Sequence, residues 1–278
     1  ATASDVLSGS GLSSSAAFEV LLGTILNHLF NDGKVSDVEI AQIAQAAENK
    51  FFGKPCGLLD QMTSSVGSFV EIDFADPAKP VIEKLDFDFA SCGYALCIVD
   101  TGGSHSDLTD EYAAVRKEME SVAEYLGKSV LREVDEDEFM KNIADIRSSC
   151  GDRAVLRAMH FYGDNARVEK QAAALKAGDF ETFKKYIIES GRSSYMYNQN
   201  VYSCKKVSEQ PVSLALSLSE KLLDGCGAWR VHGGGFAGTI QAFVPLNKLD
   251  EYKDLMEKVF GSGSCYILSV RPVGGVEL

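Results

Sequence analysis

Apolar and polar positions in the first third of the chain change period several times. Residues 1–7 predict a short strand that runs into Gly9-Ser10-Gly11-Leu12-Ser13-Ser14-Ser15-Ala16-Ala17. Behind this loop Val20, Leu21, Thr24, Ile25, His28 and Leu29 recur at helical spacing and predict a helix. Ser36-Asp37-Val38-Glu39 is a capping box with Val35 and Ile40 at the staple positions, so a second helix starts there, runs to about Lys50 and stops before Gly53 and Pro55. A third helix is expected over 57–66, then strands over 69–74, 81–87 and 93–100. The last of these is almost wholly apolar, which predicts burial on both faces.

From Leu108 the helical period dominates, with helices expected over 110–126, 135–146, 152–177 and 180–190. The end of the chain mixes the two periods: helix 212–223, strands 228–231 and 239–244, helix 249–260 and strand 265–270. This order predicts an α+β fold in two domains, with the boundary between Asp88 and Gly103 and the division set at 1–95 and 96–278.

At 278 residues, 45% hydrophobic and 24% charged, the chain can bury a sizeable core, which excludes disorder, collagen and a simple coiled coil. Lys and Arg total 27 against 40 Asp and Glu, and the net charge of −13 disfavours nucleic acid and anionic lipid as partners. An anionic ligand must therefore be held locally. Seven scattered cysteines without a C-x-x-C pair read as reduced thiols of a cytoplasmic protein. No apolar run approaches the roughly 20 residues of a membrane span, and no basic-then-apolar leader opens the sequence. His105 and His232 lack ligand partners in sequence, so no zinc site is expected.

The glycine-serine loop carries the first chemistry. Glycines let backbone approach a ligand, and the following helix directs unpaired amides and about half a positive charge toward the loop. An ordinary turn with an N-cap fits this loop equally well on its own. The lysine of a G-x-x-x-x-G-K-[ST] loop is absent.

Three segments in order carry a resemblance. Gly11-Leu12-Ser13-Ser14-Ser15-Ala16 resembles the phosphate loop of the GHMP kinases, Glu48-Asn49-Lys50-Phe51-Phe52-Gly53-Lys54-Pro55-Cys56-Gly57-Leu58-Leu59-Asp60-Gln61 resembles a galactokinase segment, and Val231-His232-Gly233-Gly234-Gly235-Phe236-Ala237-Gly238 resembles the late glycine-rich motif. The resemblance implies a two-domain GHMP-kinase architecture with an incomplete N-terminal α/β domain and a C-terminal α+β domain. It implies transfer of the ATP γ-phosphoryl group to the anomeric hydroxyl of galactose, with ATP and the sugar as small-molecule partners and Mg²⁺ as cofactor. The oligomeric state is left open.

Residue by residue, the resemblance implies that Gly9, Ser10, Gly11, Leu12, Ser13, Ser14 and Ser15 hold the ATP phosphates. Ser14 or Ser15, with Glu48, would hold the metal, and Asp60 would be the catalytic base or orienting charge at the sugar. Cys56, Gly57, Asp60, Tyr112 and Gly234 would line the sugar site. Alone, Cys56 reads as a packing thiol, Tyr112 as an exposed helix-face tyrosine, and Glu48 and Asp60 as solvated helical carboxylates.

Two departures qualify the match. The family's N-terminal signature, with its catalytic arginine, has no counterpart here, so the expectation is a shortened chain with little activity alone. The segment from Ser193 to Tyr202 departs from the family pattern, and Asn198 and Asn200 stand in a region that is usually acidic. This leaves a GHMP-type kinase for another sugar, or a non-catalytic sugar or nucleotide sensor, as alternatives.

Overall fold

The computed structural model describes residues 2–4, 6, 13–53, 56–103, 108–236 and 238–277. The chain forms two compact units, one of residues 1–89 and 269–278 and the other of residues 90–268.

The first unit contains α1 (Ser14–Asn31), α2 (Asp37–Ala46), a π-helical turn (Ala47–Phe52), α3 (Leu59–Val66), β1 (Phe69–Asp73) and β2 (Val81–Leu85). The capping box forms as expected: Ser36 Oγ accepts from the Glu39 amide at 3.3 Å, and the Glu39 carboxylate accepts from the Ser36 amide at 3.0 Å. Asn27, near the end of α1, fixes the approach to this cap. Its side chain accepts from the Val35 amide at 3.0 Å and donates to the Val35 carbonyl at 2.9 Å. Val35 then packs against Val20, Ile40 and Ala44. Ala41, Leu58 and Met62 form an adjoining core, and burying a side chain such as Met62 contributes about 1.5–3 kcal/mol.

Strands β1 and β2 pair antiparallel from Phe69 opposite Leu85 to Asp73 opposite Val81. The end of the chain returns to this unit. The Ser68 amide donates to the Arg271 carbonyl at 2.7 Å, and Lys84 Nζ donates to the Pro272 carbonyl at 2.8 Å. The strand expected over residues 1–7 is not observed at its described positions, 2–4 and 6, which are irregular. No strand among the described residues pairs with that segment, and a strand without a ladder leaves its backbone groups unsatisfied.

The second unit opens with β3 (Tyr94–Asp100) and continues through α4 (Thr109–Tyr125), α5 (Glu136–Lys141), α6 (Ile143–Cys150), α7 (Asp152–Lys176) and α8 (Phe180–Ser193). A π-helical turn (Ser194–Asn198) leads to α9 (Pro211–Leu223), β4 (Ala228–Val231), β5 (Thr239–Pro245), α10 (Leu249–Phe260) and β6 (Cys265–Leu268). The four strands form an antiparallel sheet in the order β4-β5-β3-β6. Its apolar face packs with helical residues into one core that includes Cys97, Val99, Val212, Trp229, Ile240 and Met256. A second core, of Val122, Ala123, Phe139, Ile146, Ala154 and Ala158, joins the helices α4 to α7. Central β3 is buried along most of its length, as its apolar run requires.

The single helix expected over 135–146 is divided at Asn142. Its side chain donates to the Glu138 carbonyl at 2.8 Å, and its backbone leaves helical geometry at φ −101°, ψ 8°. Asparagine offers the chain this competing local bond. Among the described residues no helix is long and apolar enough to cross a membrane.

Candidate functional site

In the first unit Ser15 of α1, Glu48 of the π turn, Cys56 and Gln61 of α3 come together. Gly9, Ser10, Gly11 and Leu12 lie outside the described residues. Ser13 precedes α1 in left-handed geometry (φ 56°) and makes no side-chain cap, and the first turn of α1 carries no acidic residue. Neither Ser13 nor the first turn of α1 itself supplies a negative side chain to the positive end of that helix, an end that attracts anionic groups.

Glu48 is the most distinctive group of this unit. It is 3% exposed, so it is not the solvated charge that its helical position alone would suggest. Ser15 Oγ donates to its Oε1 at 3.3 Å, and Gln61 Nε2 donates to its Oε2 at 3.1 Å. The π turn displaces one residue per turn from the ordinary helical period, and such turns recur at functional sites. Asn49, next in the turn, accepts from the Cys56 amide at 2.7 Å and donates to the Cys56 carbonyl at 3.2 Å, which fixes the chain entering α3.

Cys56 receives a further bond from Gln61 Nε2 at 3.4 Å. Burial and then its bond to Glu48 push the Cys56 thiol up to about 11, so it stays protonated at neutral pH. Gly57 is exposed, with nothing within 4 Å of where a Cβ would stand. Asp60 occupies the first turn of α3 and is exposed. Gln61 beside it points the other way and is 1% exposed.

In the second unit Tyr112 and Gly234 come together. The Tyr112 hydroxyl donates to the Gly235 carbonyl at 2.7 Å, and its ring meets Phe236 edge-on at 5.1 Å between centroids. A Cβ on Gly234 would stand 2.6 Å from Tyr112 Cε1. Tyr112 is half-buried, so the exposed helix-face reading does not apply. The other side of the loop rests on Asn200, whose Nδ2 donates to the Gly234 carbonyl at 3.2 Å and whose own carbonyl accepts from the Phe236 amide. His232 pairs with Gln241 through Nδ1 at 3.0 Å. His105 lies outside the described residues.

Sequence reasoning gave no role to Gln61, Asn49 or Asn200. Gln61 and Asn49 lie within the segment that resembles galactokinases, and Asn200 departs from the family pattern in lacking a carboxylate. Among the described residues no group of three or more His, Cys, Asp or Glu side chains is arranged to hold a metal. Mg²⁺ requires fewer, because it takes one or two protein oxygens and completes its shell with water and phosphate. The Glu48 carboxylate with the Ser15 hydroxyl 3.3 Å away is a hard-oxygen pair of that kind.

Residues 1–68 match the model of the GHMP kinases N terminal domain. The chain belongs to the GHMP kinases. Within them it is similar to galactokinase of Actinobacillus pleuropneumoniae, with 31% identity over 256 residues, covering 92% of this chain and 64% of that protein. It is likewise 32% identical over 275 residues to galactokinase of Homo sapiens, covering 99% of this chain and 66% of the relative. The chain thus spans about 64% of the length of the curated relatives it matches first. The fold matches the crystal structure of Lactococcus lactis galactokinase complexed with galactose, with a TM-score of 0.74 at 24% identity over 99% of this chain and 69% of that one.

Proposed function

We propose that the protein transfers the γ-phosphoryl group of ATP to the anomeric hydroxyl of galactose, giving galactose 1-phosphate and ADP. The observation that carries this reading is the buried Glu48 carboxylate bonded to Ser15 at the uncapped N-terminus of α1. A buried carboxylate is costly unless it is partnered or serves a cation, and this one, held by the neutral donors of Ser15 and Gln61, lies beside the first turn of α1, where the phosphates would sit. Likeness to galactokinases over most of the chain supports the choice of substrate.

Phosphoryl transfer asks a protein chiefly for position and charge. The amides at the start of α1, with residues 9–15, would hold the β and γ phosphates. Ser14 or Ser15 and Glu48 would hold Mg²⁺, which when bound offsets the phosphate charge. Asp60 would accept the proton of the anomeric hydroxyl as its oxygen bonds to phosphorus and the bond from phosphorus to the ADP oxygen breaks. Its exposure on the first turn of α3 leaves it open to substrate. Tyr112 donates its hydroxyl proton to Gly235, so toward a sugar its oxygen acts as an acceptor. Cys56, Gly57 and Gly234 would contribute shape rather than charge, and the raised Cys56 pKa keeps that thiol neutral.

Calorimetric titration with galactose, with and without Mg²⁺ and a non-hydrolysable ATP analogue, tests the reading on wild type and Asp60→Ala. The expected result is galactose binding in the wild type, weakened at least tenfold in the variant with an unchanged melting temperature. Equal galactose affinity in both proteins refutes the assignment of Asp60. A panel of other hexoses and heptoses separates galactose from another sugar, since the segment 193–202 departs from the galactokinase pattern.

A further inference from the structure

The glycine loop of the second unit is gripped from two sides, and both grips lead back to one helix. On one side Tyr112, from α4, bonds the Gly235 carbonyl at 2.7 Å. On the other, Asn200 holds the Gly234 carbonyl and the Phe236 amide. The contact is backbone to backbone, because a Cβ on Gly235 would stand 1.9 Å from the Asn200 carbonyl oxygen. Asn200 follows Gln199, which is left-handed at φ 54°, and the π turn that ends at Asn198. The position of Asn200 is therefore inherited from Asn198.

Asn198 is tied down by Arg157 of α7. The side chain of Arg157 is 0% exposed. Its Nε donates to the Asn198 carbonyl at 3.0 Å, and its Nη1 donates to Glu118 Oε2 at 2.8 Å. Glu118 stands on α4, six residues after Tyr112. The contacts close a ring: Tyr112, Gly235, Asn200, Asn198, Arg157, Glu118 and back along α4. Glu118 also receives a two-pronged bond from Arg153, so its charge is compensated without Arg157.

A buried guanidinium is an expensive way to fill a core, since an apolar side chain of similar size packs there at less cost. What the apolar side chain lacks is two directed donors that join α4 to the π turn. From this ring we infer that Arg157 is a positioning residue for the glycine loop 233–235, and so for the sugar contacts of Tyr112 and Gly234. The effect on sugar rests on the proposed function; the effect on the loop does not.

The experiment compares wild type, Arg157→Met and Arg157→Lys. Three quantities are read: the backbone amide resonances of Gly233, Gly234 and Gly235, the affinity for galactose, and the affinity for a non-hydrolysable ATP analogue. The expected result for Arg157→Met is displaced loop resonances and at least tenfold weaker galactose binding, with nucleotide affinity held within twofold. Lysine, with one ammonium to share between Glu118 and Asn198, is expected to restore part of both losses. A merely structural role would lower both affinities together. Loop resonances at their wild-type positions in folded Arg157→Met overturn the inference, as does parallel loss of sugar and nucleotide binding. If the methionine variant does not fold, the lysine variant carries the same test on the same resonances. A wild-type protein that binds no galactose refutes the proposed function and leaves those resonances to decide on Arg157.

Discussion

Three consecutive glycines offer a graded test of how the loop is held. Gly233 has φ +62° with nothing within 4 Å of a built Cβ, so Gly233→Ala pays only for left-handed backbone, about 1 kcal/mol. At Gly234 the added methyl would sit 2.6 Å from the Tyr112 ring, which its bond to Gly235 and its contact with Phe236 hold in place. Displacing the ring gives up one or both, about 1–2 kcal/mol. At Gly235 the backbone is left-handed at φ +81° and the obstacle is the Asn200 carbonyl oxygen 1.9 Å away. Backbone must then move by roughly 1 Å, breaking the Phe236 and Asn200 bonds, for a total of about 3–5 kcal/mol. In a unit of this size that corresponds to a fall in Tm of roughly 10 °C. Trp229, the chain's one tryptophan, lies buried on β4 in the same unit, so its fluorescence in a urea titration reports the unfolding directly. The expected order of loss is 235 over 234 over 233. If Gly235→Ala costs no more than Gly233→Ala, the loop is not pressed against Asn200, and the argument for its two-sided grip fails.

Three further outcomes are expected. Glu48→Gln keeps the side-chain shape but removes the charge, so Mg²⁺ should no longer tighten binding of an ATP analogue, while Mg²⁺-free binding stays within twofold; calorimetry with and without the metal checks this. Cys56, with its thiol pushed up to about 11, should resist iodoacetamide at pH 8 while exposed Cys204 is alkylated, as read by peptide mass spectrometry. His160 is held below the ordinary imidazole value by burial; Asp164 opposes this, and Arg230 and Arg167 add to it. The folded state then binds fewer protons than the unfolded chain below about pH 6.5, so the contribution of neutral His160 is complete above that value and is lost as pH falls through the lowered pKa. His160→Gln should flatten the fall in stability between pH 7 and 5, and equal slopes in denaturant titrations would refute this.

Part of what depends on neighbours in sequence is legible in the chain itself. The capping box at Ser36 and Glu39 satisfies amides three residues apart, and the apolar run of β3 announces a strand buried on both faces. The break at Asn142 was not legible, because an asparagine inside a helical period reads the same whether its side chain meets water or the Glu138 carbonyl. The division at 96–278 assigns the end of the chain to the second domain, whereas residues 269–278 group with the first unit, held there in part through the carbonyls of Arg271 and Pro272, and carbonyls carry no sequence signal.

The same distinction runs through the site. Glu48 and Asp60 were found by their place in a motif, whereas Arg157 and Asn200 act through the backbone atoms of residues far away in sequence. Gln61 lies between these cases, and a signal for it was present. The inward face of α3 is Gln61, Met62 and Ser65, so one long polar amide is committed to a buried stripe. An amide there is unfavourable unless something buried and polar faces it, and Glu48 is that partner at 3.1 Å. Asp60, one residue earlier on an eight-residue helix, is turned by about 100° to the open side. On the proposed function the adjacent pair would divide the work: Gln61 holds the Glu48 carboxylate, and exposed Asp60 would meet substrate. Gln61→Leu should accordingly disturb Mg²⁺-dependent nucleotide binding and leave galactose affinity unchanged, the reverse of Asp60→Ala; if both substitutions weaken the same ligand, the division is wrong.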